Sequence, residues 1–188
     1  MKKVWIILAI VALALLIFGS SCVSKYNQLV TLNEGIAGAW SQVENVLQRR
    51  NDLIPNLVNT VKGYAAHEQE IFENVAQARS QWASAKTINE KVRANAALES
   101  ALGRLLAVVE RYPDLKASQN FLALQDELAG TENRIATERR RYNEVVRQYN
   151  TLVRRFPTNL VAKVTGFEYK QVYFEAQEGA QEVPPVSF

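Results

Sequence analysis

Apolar residues recur at alternating steps of three and four from Tyr26 to Ala85, in one phase, directly after an apolar N-terminal stretch. Tyr26, Leu29, Ile36, Trp40, Val43, Leu47, Ile54, Leu57 and Val61 mark the first half of this seam. Tyr64, Ile71, Val75, Ala78, Trp82 and Ala85 continue it, and Asn33, Arg50 and Glu68 interrupt it. Such a period puts one apolar stripe on a helix, and a stripe sustained this long belongs to a helix packed against other long helices. The spacing predicts a first helical segment from about Lys25 to about Lys86. Pro55 lies inside it, behind Asn51 and Asp52, which could cap a fresh start. Because the phase passes Leu47, Arg50, Ile54 and Leu57 without a slip, the proline is expected to kink the helix rather than end it. At about 1.5 Å per residue the segment would be about 90 Å long.

The pattern stops near Thr87 and a second segment begins, with Asn89 as its cap and Leu98, Leu102, Leu105, Val109 and Tyr112 as its seam, up to Pro113. A third runs from Asp114 to about Arg155, before Pro157. Its seam is Phe121, Leu124, Leu128, Thr131, Ile135, Glu138, Tyr142, Val145, Tyr149, Leu152 and Phe156. Short connections between long amphipathic helices make antiparallel neighbours, so the expected fold is all-α: an N-terminal membrane helix, then an up-and-down bundle of three to four long helices. Unequal helices leave projecting, coiled-coil-like seams that need a partner, either another protein or a second copy. After Pro157 the apolar residues Val161, Val164, Phe167, Tyr169, Val172, Tyr173 and Phe174 are β-prone and too few for a domain. They are expected to form an extended strap across the bundle. A loose end follows from Glu175 to Phe188, whose terminal Pro184-Pro185-Val186-Ser187-Phe188 would suit a docking peptide. The expected boundaries are therefore 1–23 for an anchor, 24–156 for the bundle and 157–188 for the tail.

Lys2 and Lys3 precede an apolar run from Val4 to Phe18, then Gly19, Ser20, Ser21 and Cys22. Three readings are open. With Val23 the segment reaches about twenty residues, enough for an uncleaved membrane helix. The charged flank and small residues also suit a cleaved signal peptide. In the third reading Cys22, the sole cysteine, is lipidated as the first residue of a lipoprotein; Ser20 and Ser21 suit such a site, while Gly19 stands where an aliphatic residue is usual. Lys25 is the only positive residue between the span and Arg49, so the positive-inside rule turns the body away from the cytoplasm. One cysteine allows no intramolecular disulfide, so stability must come from packing.

The chain of 188 residues, 48% hydrophobic, suits one domain plus an anchor, and 8 glycines and 5 prolines fit a helical body. Its net charge of +3 falls away once Lys2 and Lys3 are set aside, leaving 20 of the 22 basic residues against 19 acidic ones. That balance lacks the basic surplus of a nucleic-acid binder.

Catalytic constellations are not legible. The single histidine, His67, stands beside Glu68 and Glu70, but a metal needs three or four ligands and no second histidine or cysteine completes a set. No nucleophile elbow or phosphate-binding glycine loop is present, so no enzyme activity, cofactor or small-molecule substrate is expected. The polar seam residues Arg50, Thr131 and Glu138 stand out instead. A buried charge must be paired, and such pairs can fix helix register, so one reading has Arg50 meeting Glu132, Glu138 or a neighbour across the bundle, and the other has it snorkelling out to water at the Pro55 kink. Arg139, Arg140, Arg141, Arg147, Arg154 and Arg155 make the third segment basic late in its course. Interleaved Glu127, Glu132, Glu138 and Glu144 read as solvated pairing along that helix, with a patch for anionic lipid or an acidic partner as the sharper alternative.

The stretch YNQLVTLNEGIAGAWSQVENVLQRRNDLIPNLVNTVKGYAAHE from Tyr26, with SALGRLL from Ser100, YPDLKASQNFLALQDELAGTENRIATERRRYN from Tyr112 and YFEAQEGAQE from Tyr173, resembles the LemA family of bacterial membrane-associated proteins. The resemblance covers nearly the whole chain after the anchor and departs most between Trp82 and Asn95, which is short here. It implies a membrane anchor and a helical bundle, and supplies no catalytic residues. Family members look associated with genes for membrane metalloproteases and other envelope proteins, so a membrane protease system is one expected partner. The family is also read with its body in the cytoplasm, against the charge flanks. The expected role is a membrane-anchored, non-enzymatic scaffold or adaptor of the bacterial envelope. A self-assembling homo-oligomer is the alternative, and an enzyme with an unrecognised site stands behind both.

Overall fold

The computed structural model describes residues 2–174. All regular structure among them is helical: α1 (Lys2–Lys62), α2 (Gln69–Ser84), α3 (Ile88–Val109), α4 (Pro113–Lys116), α5 (Gln119–Arg154) and α6 (Thr158–Thr165). The all-α class is the one the seams require. The chain divides into two compact units, and α1 and α5 each supply a stretch to both. One unit takes residues 2–41 and 141–171, the other 42–140 and 172–174.

In the second unit the last five turns of α1 pack with α2, α3 and the first half of α5. Ile54, Leu57 and Val61 of α1 share one buried cluster with Phe72, Val75 and Ala78 of α2, Leu98, Leu102, Leu105 and Val109 of α3, Leu115 of α4 and Phe121 of α5. Each valine, leucine, isoleucine or phenylalanine among them stabilises by about 1.5–3 kcal/mol when fully withdrawn from water. The Lys62 ammonium stands over the Phe72 ring at 5.2 Å, and further back Asn51 and Pro55 lie beside Arg79 and Ala83, so α2 doubles back along α1. α3 then runs with α1, since Lys91 reaches Glu44 and Leu102 lies beside Leu57. α5 returns antiparallel to it, giving the up-down order expected of short connections.

Three boundaries differ from the sequence expectation. The third segment, expected to run unbroken from Asp114, is divided at Ala117 and Ser118 into α4 and α5. α1 passes through Pro55 as a continuous helix, but ends at Lys62 instead of running to Lys86. Gly63 and the turn through Glu68 reverse the chain, with the Ala65 amide bonded back to the Val61 carbonyl at 2.9 Å. The seam misled because α1 and α2 face the same core, so a hairpin keeps almost the same apolar phase as a rod. The cap of α3 is Thr87, not Asn89. The Thr87 hydroxyl accepts from the Glu90 amide at 3.2 Å while the Glu90 carboxylate accepts from the Thr87 amide at 3.1 Å, a reciprocal capping box.

In the first unit Trp40 and Tyr142 meet edge to face with ring centroids 5.8 Å apart. A β-carbon at Gly35 would lie 3.5 Å from the Val145 side chain, and Tyr26 meets Phe167 at 5.9 Å. The start of α1, from Lys2 through the apolar run, is long and apolar enough to cross a membrane, and its most apolar window is entirely exposed. The segment after Pro157 corrects the expected strap. Thr158–Thr165 is helix α6, closed by Gly166 in the left-handed conformation (φ 78°), with the Phe167 amide bonded to the Ala162 carbonyl at 3.0 Å. Only from Phe167 is the backbone non-helical. The expected loose end from Glu175 and its terminal Pro184–Phe188 peptide lie outside the described residues.

Candidate functional site

The most unusual chemistry of the second unit is a charged cluster inside it. α1 carries Arg50 on its buried stripe, one turn before Ile54, so the guanidinium enters the bundle and is 3% exposed. There Nη1 donates to Glu132 of α5 at 2.8 Å and to Glu99 of α3 at 3.3 Å, while Nη2 donates to the Asn95 side-chain carbonyl of α3. The Asn95 amide donates to Glu99 Oε1 at 2.9 Å, and Arg139 of α5 donates to the same oxygen at 2.6 Å. Two guanidinium groups and two carboxylates thus cancel in charge across three helices.

Glu99 is the hub. Burial pushes its carboxyl up, but the charge and hydrogen bond of Arg139, the charge of Arg50 and the hydrogen bond of Asn95 outweigh burial and hold it below the usual carboxylate range. Its proton is therefore absent at neutral pH. Arg139 also lies over the Phe174 ring at 5.2 Å. A cleft of about 330 Å³ opens beside the cluster, with Arg50, Glu99 and Glu132 at one end and Leu57, Leu102, Leu106 and Leu128 along it.

The sequence-selected residues separate here. Arg50 joins Glu132, Glu99 and Asn95. Thr131 is buried but donates to the Leu128 carbonyl of its own helix at 2.8 Å, and Glu138 is half-buried on α5. Sequence reasoning missed Asn95 and Glu99 and left Arg139 on a solvated face. Asn95 carried a signal: it stands one step of three before Leu98 and so extends the α3 seam with a polar residue, as Arg50 does in α1.

The other candidates take no part in this cluster. His67 lies in the turn between α1 and α2, so it does not share a helical face with Glu70. Glu68 accepts from Arg111 at 2.8 Å and from the Tyr112 hydroxyl at 3.4 Å, joining that turn to the end of α3. Among the described residues no group of three His, Cys, Asp or Glu side chains could hold a metal. Cys22 is a free, half-buried thiol at the end of the apolar run.

The LemA family model matches residues 39–188. Magnetosome protein MamQ 2 of Paramagnetospirillum magneticum is 28% identical over 199 residues, covering 92% of this chain and 73% of its own length. Magnetosome protein MamQ of Magnetospirillum gryphiswaldense is 28% identical over 202 residues, covering 94% and 74%. Protein LemA of Metamycoplasma hominis is 28% identical over 157 residues, covering 83% and 71%.

Proposed function

The chain belongs to the LemA family, and on that premise we propose that it is a membrane-anchored, non-enzymatic scaffold of the bacterial envelope whose helical body presents fixed surfaces to another protein. The observation that carries this reading is the disposal of buried charge. Arg50, Glu99, Arg139 and Glu132 pair in charge with one another across α1, α3 and α5, so the groups best placed for chemistry are committed to holding helices in register. A cluster neutralised in this way supports a rigid shape better than it supports proton transfer, which needs a group poised near the working pH.

The apolar start of α1 supplies the anchor. Lys2 and Lys3 ahead of it, with Lys25 alone close behind in sequence, favour a body facing away from the cytoplasm. The opposite orientation has one observation in its favour: Arg154, Arg155, Lys163 and Lys170 belong to the same unit as the end of the apolar run. Accessibility of single cysteines to a membrane-impermeant reagent in intact cells decides between them. Lipidation of Cys22 is a third arrangement, and the intact mass of the mature chain reports it directly.

Photo-crosslinking in cells, from probes along the exposed faces of α1 and α5 with products identified by mass spectrometry, tests the scaffold reading. Crosslinks to a distinct envelope protein, a membrane protease among the expected ones, support it. Ladders of the chain with itself would replace it with a self-assembling structural role.

A further inference from the structure

Large apolar side chains exposed beyond Val23 are few among the described residues, and most of them gather in one place. Leu160 (53% exposed) and Val164 (88%) lie one turn apart on α6, and Phe156 (75%) is exposed in the turn between α5 and α6. Thr158 and Ala162, on the opposite face, are buried. The helix therefore packs by its small residues and shows its large ones to the outside, the reverse of a helix folded into a water-soluble body. Tyr26 and Tyr169, both partly exposed, stand nearby in the chain's first unit.

The height of α6 along α1 follows from contacts within that unit. Tyr142 meets Trp40 and Val145 lies against Gly35, so α5 descends antiparallel to α1 with residue numbers that sum to nearly a constant. Extended at equal rise, the register brings Arg155 level with Tyr26. The groove between the two helices agrees, for Leu152 and Arg155 line it together with Ser20, Val23 and Asn27. At the far end of α6, Phe167 touches Tyr26 itself. The residues flanking α6, Arg155 and Phe167, thus both stand near Tyr26. The apolar run ends at Phe18, and the twenty-residue span closes at Val23, three residues or about 5 Å below Tyr26. Tyrosines and amphipathic helices occupy this zone in membrane proteins.

Charge selects the occupant. Between positions 20–28 and 152–171 the charged side chains are Lys25, Arg154, Arg155, Lys163 and Lys170 against Glu168 alone. We infer that α6 is an interfacial membrane-docking helix: its exposed Leu160 and Val164, with Phe156 in the turn before it, enter an anionic bilayer surface while the surrounding cations bind lipid phosphates. This rests on the reading of α1 as the membrane anchor, and extends it to a second contact that fixes the height and tilt of the first unit. A second copy of the chain would explain the apolar stripe but not the surplus of like charge, which would repel its own image.

The test uses the full chain with Cys22→Ser and a single cysteine carrying an environment-sensitive fluorophore at Leu160 or Val164. Each is reconstituted at one copy per nanodisc of phosphatidylcholine and phosphatidylglycerol with spin-labelled lipid. The same label at Leu13, within the apolar run, reports anchoring, and at Glu34, exposed higher on α1, reports water. Labels at Leu160 and Val164 are expected to be quenched several-fold more than at Glu34, and the Arg155→Gln, Lys163→Gln double variant to lose part of that quenching. Quenching at Leu13 with none at Leu160 and Val164 overturns the docking helix while leaving the anchor intact. Absence at Leu13 as well overturns both. Protection that appears only with two copies per disc would assign the stripe to self-association and overturn the inference.

Discussion

Arg50 and Glu132 stand eighty-two positions apart in sequence and meet at 2.8 Å, yet the first is sealed in the bundle and the second keeps half of its side chain in water. The pair is therefore asymmetric. Losing Glu132 leaves Arg50 with Glu99 and Asn95, whereas losing Arg50 removes one of the two cations that compensate the partly buried Glu99.

Arg50→Met is accordingly expected to cost about 3 kcal/mol, at the lower end of the range for breaking a buried charge cluster. Glu132→Gln is expected to cost less than about 1 kcal/mol, in keeping with a half-exposed partner. At this chain length the first should lower Tm by about 6–12 °C in thermal unfolding of the detergent-solubilised protein, and the second by no more than about 4 °C. Unchanged Tm and unchanged particle size for Arg50→Met would remove the register-holding role from this cluster.

The pH dependence has a definite sign. Glu99 has its folded pKa depressed, so the stability it contributes is present above its ordinary unfolded value of 4.5 and is lost as pH falls through the lower folded value. Unfolding midpoints should fall below pH 4.5, and Glu99→Gln should flatten that decline while lowering stability at neutral pH. Parallel declines in both proteins would place the acid sensitivity elsewhere.

Seams fixed the helical class and most of the core, because burial of one stripe is a local property that spacing records. Leu29, Val43, Leu47, Ile54, Leu57, Ile135 and Tyr149 are all buried where the pattern places them. The α1–α2 reversal was not legible, since two helices facing one core repeat the phase of one. α6 was missed because Val161, Val164 and Phe167 suggested strand, while the helical signal was a single glycine at position 166 after a short segment. Glu99 was hidden because it flanks its seam, and its importance comes from Arg50 and Arg139, each at least forty residues away.

Gly35 offers a gain. It lies inside α1, where glycine costs about 1 kcal/mol relative to alanine. Its absent β-carbon would sit in ordinary contact with Val145 at 3.5 Å. Gly35→Ala should raise Tm by about 2–4 °C, while Gly35→Leu should lower it by overpacking against α5. A loss of stability with alanine would mean that α1 and α5 approach more tightly than this spacing allows.

Thr87→Ala should lower stability by about 1 kcal/mol through loss of the hydroxyl that accepts from the Glu90 amide. Thr87→Ser keeps that oxygen and should recover most of the loss. If serine rescues nothing, the methyl group rather than the cap would be the contribution measured.

The segment after α6 is held by α5 through backbone recognition. The Asn150 side-chain amide donates to the Lys170 carbonyl at 2.7 Å and its oxygen accepts from the Lys170 amide at 2.8 Å, while the Tyr149 hydroxyl donates to the Glu168 carbonyl at 3.0 Å. Burial, with the Glu168 charge adding to it, pushes the Tyr149 hydroxyl up from its ordinary range, so this donor persists into alkaline solution. The Arg154 guanidinium covers the Tyr169 ring at 4.1 Å and closes the clamp. Asn150→Ala removes both hydrogen bonds to the Lys170 backbone, a net loss of about 1–3 kcal/mol. Hydrogen exchange at the Lys170 amide should then quicken by about tenfold or more, while amides in the core of α3 keep their rates, because the opening is local. Equal acceleration in α3 would show that the clamp supports global stability instead. Unchanged exchange at Lys170 would show that Tyr149 and the Arg154–Tyr169 stack hold the segment without Asn150.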